Sequence, residues 1–74
     1  MDRKRKTVGS LVRHIRTGGI GLIEAHRMFD VVGGSRLVFF RVKFIRPVDN
    51  VVQGRTLDKL TAIFDRADKF ELIS

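Results

Sequence analysis

Residues 36–46 read RLVFFRVKFIR, an almost unbroken run of β-branched, aromatic and basic side chains. Residues of the first two kinds favour a pleated, half-buried backbone. Four apolar residues recur with period two and would share one face of a strand: Val38, Phe40, Val42 and Phe44. The opposite face would carry Leu37, Phe39, Arg41, Lys43 and Ile45. The first set predicts a core face, and the second predicts an outward, basic face that contains an aromatic ring.

Glycine and proline mark the ends of this strand. The pair Gly33-Gly34 precedes it and Pro47 follows it, as is typical of a strand between turns. Upstream, two further strands at residues 11–15 and 20–23 flank Gly18-Gly19, a pair suited to a two-residue hairpin loop. Gly21 within the second of these strands predicts a bulge or a sharp bend.

The C-terminal third predicts one helix between two short strands. Residues 51–53 fit a fourth strand that Gly54 ends, and residues 70–73 fit a closing strand. Between them Thr56 can cap a helix, because its side-chain oxygen can accept a free backbone N–H. The apolar residues that follow have helical spacing and would form one helix face: Leu57, Leu60, Phe64 and Ala67.

The N-terminal half resembles a known family. The segments VGSLVRH (residues 8–14) and TGGIGLI (residues 17–23) resemble the first hairpin of SH3-like small barrels and are similar to KOW-type modules. This resemblance spans roughly residues 8–46 and implies a barrel that often binds nucleic acid or protein. The predicted fold is therefore mainly β. It is a small SH3-like barrel, built as a β-meander over residues 8–74, with one short helix before the last strand.

A winged helix-turn-helix is the alternative fold. Residues 12–29 also resemble the start of a winged helix, and residues 36–46 would then form its recognition helix. The glycines at positions 18, 19 and 21 count against this alternative, because glycine lowers helix stability.

The turn chemistry predicts which side chains share a face. If both Gly-Gly pairs form two-residue loops, Arg13 faces Glu24, Glu24 faces Lys43, and Met28 faces Phe39. The apolar face then collects Val12, Ile23, Ala25, Phe29, Val38, Phe40, Val42 and Phe44, with Arg27 as an exception. The outward face collects Arg13, His26, Phe39, Arg41 and Lys43.

The charge distribution is strongly one-sided. The chain has a formal net charge of +7, and residues 1–46 hold eleven Lys and Arg against three acidic residues, a net of +8. Such an excess attracts polyanions, nucleic acid first. Residues 1–7 predict a flexible basic arm that contains Arg3, Lys4, Arg5 and Lys6 and can tighten on phosphates.

Composition and motifs narrow the function classes. The chain has no cysteine, which excludes disulfides and thiolate metal sites. No apolar run approaches a membrane span or a signal-peptide core, so the expected location is intracellular, cytoplasmic or nucleoid-associated. Catalytic constellations are absent from the sequence, so we expect a non-enzyme with no cofactor, metal, membrane partner or small-molecule substrate.

Two functions are compatible with these observations. The first is a nucleic-acid-binding module for DNA or RNA with little sequence preference, which would use the outward face and the basic arm. The alternative is a protein-interaction or structural accessory module of the phage or plasmid type, which would form homo-oligomers or bind a protein partner.

Overall fold

The computed structural model describes residues 6–73, which form an open five-stranded antiparallel sheet. The strands are β1 (Leu11–His14), β2 (Ile20–Asp30), β3 (Arg36–Val52), β4 (Arg55–Arg66) and β5 (Phe70–Leu72), with a 3-10 helix (Ala67–Lys69) before β5. The order β4-β3-β2-β1-β5 is a meander whose last strand returns beside the first. The mainly β prediction is confirmed. The sheet is not closed, because β4 and β5 lie at opposite edges, and a barrel is therefore not confirmed.

A long strand occupies the segment in which the sequence predicts a helix. Gln53 and Gly54 have φ angles of 52° and 76° and form a two-residue turn, so that Val52 pairs with Arg55. From this turn β4 runs antiparallel to β3 up to Arg66. The helix prediction is wrong, and only the short 3-10 helix precedes β5. The described residues contain no α-helix, so the winged-helix alternative is wrong as well.

Strand β3 continues through the predicted break at Pro47. Its pairing with β4 shifts between Lys43 and Val48, and this irregular stretch includes Pro47. Proline has no N–H to donate to a neighbouring strand, so it is tolerated where the ladder is interrupted. Beyond Pro47, β3 and β4 pair again as a hairpin.

Both glycine pairs lie in loops that are longer than predicted. In the first hairpin, the N–H of His14 donates to the carbonyl of Gly19 at 2.8 Å and encloses four residues, so Arg13 pairs with Ile20. In the second, the N–H of Val31 donates to the carbonyl of Ser35 at 2.9 Å and encloses three. The predicted pairings of Glu24 with Arg13 and with Lys43, and of Met28 with Phe39, are therefore wrong.

A β-bulge at Glu24 reverses the faces of the second half of β2. On one side of it Ile23 pairs with Val42, and on the other Ala25 pairs with Arg41. An extra residue in one strand shifts its alternation by one position. The bulge predicted at Gly21 therefore lies three residues further along. Gly21 itself permits close approach of β3, since an added Cβ would lie 2.9 Å from the Cα of Phe44.

The core lies on one face of the sheet, called the inner face below. Its buried apolar members are Val12, Ile23, Phe40, Val42, Phe44 and Phe70. Five of these six belong to the predicted apolar face. The predictions for Ala25 and Phe29 are wrong: both follow the bulge, and Phe29 is 47% exposed.

Candidate functional site

The surface of β2, β3 and β4 that faces away from Phe40 and Val42 is called the outer face below. Directly paired residues of neighbouring strands point to the same side, so pairing arranges the side chains in rows across three strands. The rows are Leu22–Lys43–Ala62, Ala25–Arg41–Phe64 and Arg27–Phe39–Arg66, followed by the pair Phe29–Leu37. The predicted outward positions of Phe39, Arg41 and Lys43 agree with this arrangement.

The bulge adds Arg27 and Phe29 to the outer face. The sequence predicts both on the apolar side, but past Glu24 they pair with Phe39 and Leu37 respectively. Arg27 is therefore an exposed cation on the same side as Arg41. Nothing in the local sequence shows the bulge, because it depends on the length of the loop between β2 and β3.

Three phenyl rings form a continuous cluster on the outer face. The rings of Phe39 and Phe64 are stacked, with centroids 5.1 Å apart and planes inclined by 8°. Phe29 meets Phe39 edge-on, with centroids 5.5 Å apart. Phe64 is 51% exposed, so this outermost ring retains a large surface for a further contact. Phe64 was predicted on the apolar face of a helix and reaches the outer face because its segment is a strand.

Three cations beside these rings have no charged partner among the described residues. Within residues 6–73, Arg27, Arg41 and Lys43 form no ion pair or side-chain hydrogen bond. Arg66 differs, because its guanidinium donates to Asp68 at 3.1 Å. Unpaired cations retain their full attraction for an incoming anion, so the outer face has a positive field next to apolar rings.

A shallow depression lies within the outer face and combines both features. It is lined by Ala25, Arg27, Phe29, Arg41 and Phe64. Ala25 is half-buried whereas the other four residues are exposed, so Ala25 lies deepest in the depression. The depression therefore has two rings and two guanidinium groups around a small residue.

The other predicted binding residues lie elsewhere. Arg13 forms an ion pair with Glu71 of β5. His26 pairs with Phe40 and so lies on the inner face, contrary to prediction, where it lines a shallow pocket together with Lys6. The Lys6 ammonium donates to the carbonyls of Ala67 and Phe70 at 2.8 and 3.1 Å, so it anchors the chain to the 3-10 helix. The other basic residues of the predicted arm lie outside the described residues: Arg3, Lys4 and Arg5.

A buried histidine on the inner face of the sheet links β1 to β4. His14 is 0% exposed; its Nδ1 lies 2.9 Å from Oγ1 of Thr17, and its Nε2 lies 2.9 Å from Oδ2 of Asp65. An ionised carboxylate can only accept, so Nε2 carries the proton in this contact. The alternation with Val12 places His14 inward, but Asp65 is 51 residues away, and local sequence gives no signal for the pair.

The pKa of Asp65 reflects this contact. Burial raises it, but hydrogen bonds from His14 and from the Arg66 backbone, with the nearby charges of His14 and Lys69, lower it further. The net pKa lies below the ordinary value of 3.8, so the carboxylate is ionised at neutral pH. We interpret the pair as structural, because His14 is fully enclosed and has no access to a substrate.

Neither metal-ligand clusters nor membrane-spanning helices are found among the described residues. Within residues 6–73 no group of three or more His, Cys, Asp or Glu side chains is placed to hold a metal ion. That part of the chain also has no helix long and apolar enough to cross a membrane. Comparison with protein-family models finds no match, and comparisons with curated proteins and solved structures find no significant similarity. The outer face is thus the best candidate for a functional site.

Proposed function

We propose that this protein is a small, non-enzymatic nucleic-acid-binding module that uses its outer face. The observation that supports this role is the juxtaposition of three unpaired cations, Arg27, Arg41 and Lys43, with a cluster of exposed rings. Cations neutralise backbone phosphates and release counterions, which favours binding without regard to sequence. Phenyl rings stack on bases or pack on sugars, and they also tolerate many sequences.

We also propose that the sheet is related to SH3-like barrels, as the resemblance of the first hairpin implies. The strand order, in which β5 returns beside β1, and the 3-10 helix directly before β5 support this proposal. The basic residues at positions 3–5 would add phosphate contacts next to the domain. The proposed location is intracellular, where nucleic acid is available.

Fluorescence anisotropy with short labelled DNA and RNA strands tests the proposal. We expect micromolar binding at about 50 mM salt that weakens steeply as salt is added. Arg41→Ala should weaken binding and lower the slope of log affinity against log salt by about 0.7–0.9, as for one lost phosphate contact. The matched control is Arg55→Ala, which removes an exposed arginine at the β3–β4 turn, away from the outer face.

Two results would contradict this function. One is the absence of binding to any strand at low salt. The other is an equal loss of affinity in Arg41→Ala and Arg55→Ala, which would indicate attraction by net charge without a defined face. Melting temperatures should stay unchanged in both variants, since neither arginine has a partner among the described residues.

A protein-interaction role is the second candidate, and a separate observation favours it. The β3–β4 hairpin exposes apolar side chains on both strands, including Ile45 at 64% and Leu57 at 63%. Strand β4 is also an edge of the sheet and can pair with another strand. Under this alternative the protein is an accessory module of the phage or plasmid type. Sedimentation would then show an oligomer that is insensitive to salt and unaffected by nucleic acid.

A further inference from the structure

The Ala25 depression brings aromatic rings and guanidinium groups together. Its lining offers two half-exposed rings, Phe29 at 47% and Phe64 at 51% exposure, with Arg27 and Arg41 beside them. Rings that are half exposed can still accept a stacking partner. The guanidinium groups are themselves planar, can lie against a ring, and can donate to a phosphate.

A nucleic-acid duplex does not suit this face. Paired bases hide their ring faces inside the stack, so aromatic side chains on a protein surface reach them only where the strand is unpaired. The major groove admits an α-helix or a two-stranded ribbon, whereas the outer face is a sheet surface three strands wide.

The outer end of the β3–β4 hairpin is narrow enough to enter a groove, but it has little net positive charge. The outer end of the β3–β4 hairpin is a two-stranded ribbon, but its cations are balanced by acids. Asp49 and Asp58 accompany Arg55 and Lys59, and the Lys59 ammonium lies 3.9 Å from the Asp49 carboxylate. Arg16 of the first loop adds one cation, since its guanidinium donates to Asn50 and to the carbonyl of Val51. The ribbon therefore has less excess positive charge than the outer face, and duplex DNA requires such an excess.

From these three observations we infer that the outer face binds single-stranded nucleic acid. One unpaired base is seated in the Ala25 depression, and the phosphates next to it contact Arg27 and Arg41. This inference rests on the proposed function and adds to it the strand type and the position of one base. The depression does not distinguish the sugar, so single-stranded DNA and RNA are both included.

A comparison of ligands tests the inference on the intact chain. Anisotropy is measured with a DNA strand of about twelve nucleotides, an RNA strand of that length, the matching DNA duplex, and a DNA strand of equal length made of abasic sites. The abasic strand keeps every phosphate and removes every base. We expect single strands to bind at least about fivefold more tightly than the duplex or the abasic strand, the lower limit for one stacked base.

A filling substitution tests the position of the base. Ala25→Leu occupies the depression without changing the charge, and it should weaken single-strand binding at least about fivefold while the salt slope is unchanged. Ala62→Leu is the matched control, because it makes the same change on the outer face outside the depression. Thermal melts report whether each variant folds. The abasic strand tests the inference with unchanged protein if Ala25→Leu does not fold.

The outcomes separate this inference from the proposed function. Equal binding of normal and abasic strands, or tighter binding of the duplex, would overturn the inference and leave a nucleic-acid-binding face. Equal effects of Ala25→Leu and Ala62→Leu would overturn the position of the base. Among these outcomes, the absence of binding to all four ligands would contradict the proposed function itself. Tighter binding of either single strand than of the duplex supports the inference, and the tighter of the two shows whether the preferred ligand is RNA or DNA.

Discussion

Removal of the Asp65 carboxylate should destabilise the fold. In Asp65→Ala the Nε2–H of His14, which is 0% exposed, loses its acceptor. The Asp65 side chain is 32% exposed, so water can replace the carboxylate only in part. A buried donor left without a partner costs about 1–3 kcal/mol, and bonds to charged groups lie toward the upper end. We therefore expect a loss of about 1–3 kcal/mol in the free energy of unfolding. For a domain of this size that lowers the melting temperature by roughly 5–20 °C.

Chemical denaturation at neutral pH measures this loss, and Asp68→Ala provides the control. Asp68 is three residues further along the chain, and its carboxylate pairs with Arg66 at the surface with 61% of its side chain exposed. An exposed ion pair contributes only about 0–1 kcal/mol, so Asp68→Ala should unfold close to the unmodified protein. If both variants lose the same stability, the His14–Asp65 contact has no special role in the fold.

The pH dependence gives the same contact a second test. The folded pKa of Asp65 lies below 3.8, so ionisation of this carboxyl stabilises the fold at every pH well above 3.8. That contribution is lost as the pH falls through the folded pKa. Asp65→Asn keeps the shape but cannot ionise, so its stability deficit should be full at neutral pH and shrink in acid. A deficit that stayed constant down to about pH 3 would refute the assignment of the lowered pKa to this contact.

Three further changes test the register, the close strand approach and the charge of the outer face. Phe40→Ala should lower the free energy of unfolding by about 3–5 kcal/mol, because it truncates a core side chain. Phe39→Ala should lower it by about 1–3 kcal/mol, because it removes two ring contacts. Thermal melts compare the two variants, and a larger loss in Phe39→Ala would contradict the register. Gly21→Ala places a Cβ 2.9 Å from a backbone Cα of β3, so urea denaturation should show a loss at least as large as that of Phe39→Ala. Asp68→Ala frees Arg66 on the outer face and should tighten single-strand binding by about twofold or more in anisotropy; unchanged affinity would place Arg66 outside the binding surface.

The sequence predicts most of the core correctly, because the errors in the predicted strand pairing leave most side chains on the correct face. The first hairpin has a four-residue loop where two residues were expected, and a change of two residues in loop length moves the pairing by an even number of positions. Even shifts keep each side chain on its face. Val12 and Ile23 are therefore buried as predicted, although their pairing partners differ.

The C-terminal helix prediction failed because local spacing is ambiguous there. Leu60 and Phe64 suit a helix face, but Ala62 and Phe64 also alternate along a strand. The deciding interaction is non-local, since β4 pairs along most of its length with β3. Gln53 and Gly54 form the two-residue turn of this hairpin with a positive φ at both positions, whereas Gly54 in the sequence predicts only the end of a strand.

Half of the residues of the candidate site could be predicted from the sequence. Phe39, Arg41 and Lys43 belong to one strand, and their alternation alone places them outward. Arg27 reaches the same face because of the bulge in β2. Phe64 reaches it because its segment is a strand, although the sequence pattern predicts a helix there. Both depend on contacts between distant segments, which single-sequence patterns do not contain.

The bulge at Glu24 links the stability of this fold to its proposed function. Without the extra residue, Phe29 would continue on the face of Ile23 and enlarge the core, and Arg27 would be forced onto that apolar side as well. With it, both residues move to the outer face, and the core gains its remaining large side chain from Phe70 of β5. A domain this small has little stability to spare. The reversal of half a strand thus removes a phenyl ring from a thin core and places it beside unpaired cations, an arrangement that favours contact with a ligand.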